Sequence, residues 1–191
     1  MRNELAKSVI GTRRLVLRPL REGDAPAVFA GFNDWEVMRF LSSPPWPYTL
    51  ADAESAVRRS LDATTNPDEE LRFAITRKDA LIGIIGVRHR AAGEHQRAEG
   101  YNIGYWLGRD HWGQGLMTEA ARGLIAHTFA LTRADAIYSG AFAENTASLN
   151  VQRKIGFVPY SETVLYSRPR DAMLPHVNTA LAREAFEKIA A

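Results

Sequence analysis

Two short stretches of this 191-residue chain carry residue types that could do chemistry. The first is Trp112-Gly113-Gln114-Gly115-Leu116-Met117-Thr118-Glu119. Its two glycines let the backbone turn sharply and let a ligand come close to it. Met117, Ala120, Ala121, Leu124 and Thr128 then recur at helical spacing, so a helix begins directly after the turn. Such a helix opens with unpaired N–H groups and the positive end of its dipole, which together make a site for phosphate. Thr118 stands where a dinucleotide fingerprint needs its third glycine, and no Gly-Lys-Ser/Thr follows, which rules out a nucleoside-triphosphate loop. By itself a Gly-x-Gly turn is more often structural than ligand-binding. The second stretch runs from Glu144 to Phe157. Leu149, Val151 and Ile155 give a short helix one apolar face, and Gly156 ends it. Near its start, Asn145 reads as an N-cap worth about 1 kcal/mol, and Ser148 as a helix-face serine bonded to a backbone carbonyl. Cysteine is absent, which excludes disulfides and an acyl-cysteine intermediate. No His, Asp or Glu cluster has metal-ligand spacing, so no metal is expected.

The elements that must position these stretches follow from pattern. Tyr101, Ile103, Tyr105 and Leu107 alternate as a strand leading into the glycine turn. Upstream, Thr12 to Leu20 alternates as a strand stopped by Pro19. Asp24 then caps a helix that has Pro26 in its first turn and runs to about Phe32. Trp35 to Pro47 is irregular, since three prolines among residues 44–47 forbid a helix there. Its aromatics suit an acceptor pocket and a core cover equally. Thr49 with Asp52 forms a capping-box variant for a helix carrying Leu50, Ala53, Val57 and Leu61 on one face and ending near Thr64. Leu71 to Thr76 and Leu81 to Val87 are strands joined by a turn at residues 77–80. Residues 90–97, including His95, form a polar loop. Ala136 to Phe142 is a further strand, in which Gly140 marks a bend or a close ligand approach. Strands at 160–166 and 176–181, separated by a turn at 168–170, lead into a final short helix. Strands alternating with helices around a mixed sheet make an α/β, α+β layered domain.

In this order, the two stretches resemble the paired motifs of the GNAT superfamily of N-acetyltransferases. Leu107 to Ala121 is similar to that family's acyl-CoA-binding turn, with Trp112 in place of a leading Gln/Arg and Met117 in place of the last Gly/Ala. The second substitution narrows the room for a pyrophosphate. Asn145, Ser148 and Gly156-Phe157, eleven and twelve residues after the Asn, resemble the second motif. The version seen here, with the Arg14–Asp24 opening, looks like the ribosomal-protein N-terminal (alanine/serine) acetyltransferase branch. The resemblance covers most of the chain. It implies a mixed, mostly antiparallel twisted sheet, splayed between two central parallel strands, with helices on both faces.

The resemblance also implies a chemistry: an acetyl group passes from acetyl-CoA to a primary amine by direct attack, without a covalent enzyme intermediate. The Leu107 N–H would stabilise the oxyanion. Trp112, Gly113, Gln114, Gly115, Leu116, Met117 and Thr118 would hold the cofactor, the amides from Gly113 to Thr118 binding its pyrophosphate. Asn145 would bond the pantetheine arm. Many members use a tyrosine seven residues after that Asn to protonate the leaving thiolate; here Gln152 stands there and cannot act as an acid. In the branch, Ser148 is then the implied acid or thiolate donor. A strand glutamate often serves as base, but the matching positions here are Tyr101 and Asn102. Glu99 precedes them and reaches the site only if the strand is bulged; a solvated role suits it better. The expected route for the amine proton is therefore ordered water lined by Glu99 and Tyr101. A peptide α-amino group, near 7.7–8.0, fits such a route better than a lysine near 10.4.

The 46% hydrophobic and 24% charged fractions describe a soluble globular protein, expected to be one domain over residues 1–191. A net charge of +2 is too small to argue for nucleic acid. No segment has the length of a membrane span or the apolar core of a signal peptide, so a cytoplasmic location and no membrane partner are expected. The expected partner is an amine acceptor, either a peptide N-terminus or a small molecule such as an aminoglycoside or polyamine. The protein itself is expected to be a monomer or homodimer. The missing tyrosine at Gln152 also allows a catalytically silent acyl-CoA-binding module. The water route makes a prediction: Glu99→Gln should lower kcat/KM by less than about tenfold, below the usual contribution of a general base. The pH–rate profile should follow the acceptor's own pKa; a loss of several thousandfold with the acidic limb removed would make Glu99 the base.

Overall fold

The structure is a computed structural model that describes residues 2–63, 66, 69–92 and 98–190. Thr64, the expected helix end, and His95 in the polar loop lie outside the described residues. The strands are β1 (Ile10–Gly11), β2 (Val16–Pro19), β3 (Leu71–Arg77), β4 (Ala80–Arg90), β5 (Gly100–Leu107), β6 (Ala136–Phe142), β7 (Val158–Ser167) and β8 (Ala172–Ala182). The helices are α1 (Arg2–Lys7), α2 (Ala25–Phe32), α3 (Trp35–Met38), α4 (Leu50–Asp62), α5 (Leu116–Leu131), α6 (Thr146–Ile155) and α7 (Arg183–Ala190). The strands form one sheet in the order β1-β2-β3-β4-β5-β6-β8-β7. Every neighbouring pair is antiparallel except β5 and β6.

Strand alternation assigns the two faces. Leu71, Phe73 and Ile75 of β3 point into the main core with Ile103 of β5 and Ile137 of β6, where α5 buries Leu116, Ala120, Ala121, Leu124 and Ile125. Ala74, Ile84 and Trp106 point the other way, into a second core closed by α2, α3 and α4 through Val28, Phe32, Met38, Ala53 and Val57. Gly31 of α2 lies directly on the Trp106 ring: a Cβ there would come within 2.6 Å of it. The helices therefore cover both faces, as the resemblance implied.

Local chemistry explains the boundaries. The β3–β4 turn is tighter than the pattern suggested: only Lys78 and Asp79 lie between the strands, both at positive φ, as a two-residue hairpin requires. Thr49 and Asp52 form the expected capping box on α4, and Ala53 and Val57 are buried, but Leu50 is 42% exposed and lies off the core face. The stretch after Asn33 is more ordered than its prolines suggested, because Asp34 caps a short helix by accepting from the Glu36 N–H at 2.8 Å. Asp24 precedes α2 without capping it through its side chain. Its carboxylate accepts instead from both Arg18 guanidinium nitrogens, each at 2.8 Å, and from the Arg21 N–H.

The β5–β6 pair is the exception in the sheet. Only Tyr101↔Ile137 and Asn102↔Tyr138 are in register, and beyond them the strands part. Each strand is fully held on its other side, β5 by β4 from Gly100 to Leu107 and β6 by β8 from Ala136 to Phe142. The opening is thus a built gap between two supported strands. No helix among the described residues is long and apolar enough to cross a membrane.

The Arg18–Asp24 pair generates a stability prediction. Burial alone would push the Asp24 carboxyl up, but the Arg18 guanidinium and the Arg21 N–H outweigh it and hold it below the usual carboxylate range. Its folded-state pKa is depressed, so its stabilisation is complete above the unfolded value near 3.9 and fades as pH falls through the lower folded value. Asp24→Asn should cost about 2 kcal/mol at pH 7, and the difference from the unsubstituted protein should shrink below about pH 4. Urea unfolding at both pH values checks this.

Candidate active site

A cleft of about 480 Å³ opens where β5 and β6 part. Its walls include Gly104 to Leu107 of β5, Ser139 to Phe142 of β6, the turn into α5, the first turns of α6, and Val37, Phe40, Leu41 and Ser42. Leu165 and His176 of the terminal hairpin complete it.

The turn into α5 is built on two left-handed glycines, Gly113 at φ 72° and Gly115 at φ 71°. Gly115 is the N-cap and has no side chain to offer, so no N-cap side chain bonds the amides of Leu116, Met117 and Thr118. Those residues, with Gly113 and Gly115, line the cleft. Met117 also packs into the main core at 8% exposure, so it is accommodated by burial. Trp112 lines the cleft and donates its indole N–H to the Leu107 carbonyl at 2.7 Å. Gln114 is not among the lining residues; its side chain accepts from Arg77 and donates to the Asp110 carbonyl.

A first-turn carboxylate would repel an anion bound here, and Glu119 is one. Three groups satisfy it: the Thr12 hydroxyl at 2.7 Å, and the Arg14 N–H and Nε, each at 2.6 Å. Burial pushes the Glu119 carboxyl up, yet these bonds hold it below its usual range. Arg14 also donates to the Gln114 carbonyl, and one of its terminal nitrogens lies beside Gly115. Sequence reading did not pick out Arg14 as part of this turn, because the contact spans 105 residues.

The Leu107 backbone faces the opening. Gly108 N–H bonds the Ile82 carbonyl at 2.9 Å, so by antiparallel alternation Leu107 and Gly83 form a non-hydrogen-bonded pair. The Leu107 N–H and carbonyl therefore point away from β4, toward β6. The carbonyl is taken by Trp112, which leaves the N–H for a ligand.

Across the gap, Asn145 caps α6 by accepting from the Ser148 N–H at 3.0 Å, and both residues line the cleft. The Ser148 hydroxyl is 3.1 Å from Tyr105 Oη and 3.2 Å from Gln152 Nε2, so its partners are side chains and not the carbonyl of the preceding turn. Tyr105 also lines the cleft; burial pushes its phenol up, against the smaller opposing effect of the neighbouring Ser148 and Gln152 side chains. Sequence reading saw Tyr105 only as a strand residue, although an inward tyrosine beside the motif was a usable signal. Gly140 closely approaches a neighbour, as expected, but that neighbour is the His176 ring: a Cβ at Gly140 would come within 2.4 Å of it.

Glu99 and Tyr101 are not brought into this group. Glu99 is 73% exposed and pairs with His89 at 3.3 Å. Tyr101 packs on the main core and edge-on to the His89 ring. Tyr101 stands at the paired start of β5, about 20 Å along the strand from Leu107 at the usual rise, and Glu99 lies just before that strand, about 26 Å away.

Comparison with known proteins gives consistent matches. Residues 14–158 match the family described as Acetyltransferase (GNAT) domain. An uncharacterized N-acetyltransferase of Bacillus subtilis, YoaA, is 32% identical over 156 residues, which cover 78% of this chain and 82% of that protein. The spermidine N(1)-acetyltransferase of Escherichia coli K12 is 26% identical over 144 residues, 74% of this chain and 71% of that protein. In fold, the chain is similar to RimJ of Mycobacterium smegmatis, solved in complex with CoA-disulfide, with a TM-score of 0.79 at 20% identity over 96% of this chain and 94% of that one.

Gly115→Glu tests the turn. The side chain would enter the space before the uncapped amides and bring a negative charge to the positive helix end. Acetyl-CoA binding should be lost to calorimetry while the far-UV spectrum is kept; unchanged affinity in a folded variant would remove the phosphate assignment.

Proposed function

We propose that this chain, which belongs to the GNAT family of N-acetyltransferases, forms one acetyltransferase domain over residues 1–191 and moves an acetyl group from acetyl-CoA to a primary amine by direct attack. One observation carries this reading. The only parallel pair among the described strands parts where the uncapped start of α5, the free Leu107 N–H and the Ser148–Tyr105 hydroxyl pair converge on one cleft.

Each part then has work suited to its chemistry. The amides of Leu116, Met117 and Thr118 hold the pyrophosphate, with Arg14 neutralising Glu119 beside them. The pantetheine arm takes the place of the missing β5–β6 pairing. Asn145 uses its carbonyl oxygen on the helix start and turns its NH2 to the arm. The Leu107 N–H receives the oxyanion as the amine nitrogen adds to the thioester carbonyl. Hydroxyls at Ser148 and Tyr105 meet the sulfur as it leaves. Glu99 and Tyr101 are left with at most a remote part in the water route.

A peptide α-amino group is the acceptor this cleft supports best. A polyamine carries further cations, which carboxylates would recognise, and among the described residues lining the cleft none is Asp or Glu. The side of the cleft away from α5 presents Val37, Phe40, Leu41, Phe142 and Leu165 instead.

A thiol-release screen over peptides, spermidine and an aminoglycoside tests the function, with turnover expected on the peptides. Acetyl-CoA binding without thiol release on any amine would favour a silent acyl-CoA-binding module. Ser148→Ala should lower kcat roughly ten- to a thousandfold with little change in acetyl-CoA affinity. An equal loss from Asn145→Ala, with Ser148→Ala silent, would move the role to Asn145.

A further inference from the structure

Tyr105 of β5, Ser148 and Gln152 of α6 and Thr179 of β8 form one hydrogen-bonded chain on a wall of the cleft. Its direction is set by a group that cannot donate. The Gly140 carbonyl lies 3.3 Å from Gln152 Nε2, so the amide must turn its NH2 toward β6. Oε1 then faces Thr179, whose hydroxyl donates to it at 2.7 Å. The same NH2 donates to Ser148 Oγ at 3.2 Å. Ser148 Oγ and Tyr105 Oη are 3.1 Å apart, and with Ser148 accepting from Gln152 its own hydrogen is free to be donated to Tyr105. Gln152 and Thr179 are 1% and 2% exposed, so water does not compete for the bond between them and the Gln152 amide keeps one direction. Tyr105 Oη is also 3.4 Å from the Ser148 carbonyl, a resting place for its proton until a better acceptor arrives.

We propose that Thr179 and Gln152 are positioning residues which, by aiming the Ser148 hydroxyl at Tyr105, make the Tyr105 phenol the proton donor to the sulfur of departing CoA. The inference rests on the acetyl-transfer reading and deepens it. Gln152 occupies the helix position from which a tyrosine would reach the sulfur; here the phenol comes from the central strand, and Gln152 supports it from behind.

The step balances. The C–N bond forms as the amine attacks, and the C–S bond breaks with its electron pair going to sulfur. Sulfur takes the Tyr105 proton. The phenolate is held by the Ser148 hydrogen bond, itself strengthened because Ser148 accepts from Gln152. The proton released by the amine nitrogen returns to Tyr105 through water, so acetyl-CoA and amine become amide and CoA thiol with no net proton change.

The test needs no acceptor amine. A donor aimed at the sulfur lowers the thiol pKa of bound CoA, so CoA affinity should rise with pH across the thiol range, near 8.5 for an ordinary cysteine thiol. Calorimetric titration from pH 6.5 to 9.5 should show CoA tightening by about tenfold relative to acetyl-CoA, the effect of a shift of about one pKa unit. Tyr105→Phe should abolish the tightening. Gln152→Glu, which makes the donor to Ser148 an acceptor, should weaken it. Thr179→Val should do the same and Thr179→Ser restore it, which tests the link even if the buried carboxylate of Gln152→Glu prevents folding. In turnover, Tyr105→Phe should lower kcat ten- to a hundredfold or more, within the general-acid range, with KM for acetyl-CoA held within about twofold. Unaltered pH dependence of CoA affinity in folded Tyr105→Phe overturns this inference and leaves the acetyl-transfer reading standing. Failure of the unsubstituted protein to bind CoA at any pH overturns both.

Discussion

The structure depends on a missing ladder. Parallel strands β5 and β6 share only the register at Tyr101 and Asn102, and each is pinned on its far side by an antiparallel neighbour. Buried backbone groups must find partners, so a gap inside a sheet has to be accounted for group by group. The Ser139 hydroxyl takes the Ile103 carbonyl at 3.1 Å, and the Trp112 indole takes the Leu107 carbonyl. The Leu107 N–H stays open, and by the same alternation the N–H and carbonyl of Tyr105, opposite Ile85, also face β6. An extended ligand that carries both donors and acceptors, entering edge-on like an extra strand, suits that remainder.

Charge is arranged to match. Glu119 in the first turn of α5 favours the helix dipole but would oppose an anion at the same end. Thr12 and Arg14 absorb its charge and at the same time bind the segment before β2 to the start of α5. The tie that fastens the N-terminal strands to the central helix therefore also removes an electrostatic obstacle from the turn.

The irregular stretch after α2 contributes both to a core and to the wall of the cleft. Val37 and Met38 are buried in the second core, while Phe40, Leu41 and Ser42 reach the cleft. Two bonds hold that wall against the terminal hairpin: Arg168 N–H to the Ser42 carbonyl and the Ser167 hydroxyl to the Leu41 carbonyl. This wall of the cleft is thus shaped by residues from distant parts of the chain, and substitutions at Ser167 would be felt there without touching a ligand.

Local signals determined what depends on neighbours in the chain. Alternation in β5, the strand runs of β3, β4 and β6, the capping box at Thr49, the glycine turn at 113–115 and the end of α6 at Gly156 were all readable, because propensity, period and positive φ are short-range properties. The pairing of two motifs in the right order also made the family legible, and with it the splay. What alternation cannot encode is which distant groups meet. Asp24 looked like a cap, but Arg18 and Arg21 claimed its carboxylate. Gly140 signalled a close approach whose partner, His176, only the β6–β8 register could supply. Tyr105 and Ser148 are 43 residues apart, and Thr179 is 27 beyond Gln152; their contact exists only once β5, α6 and β8 are stacked. The sequence by itself determined the elements, the glycine turn and the family. The tertiary structure decided which hydroxyls meet and left Glu99 outside the cleft, since a strand carries its side chains along its own axis and only packing determines where that axis opens.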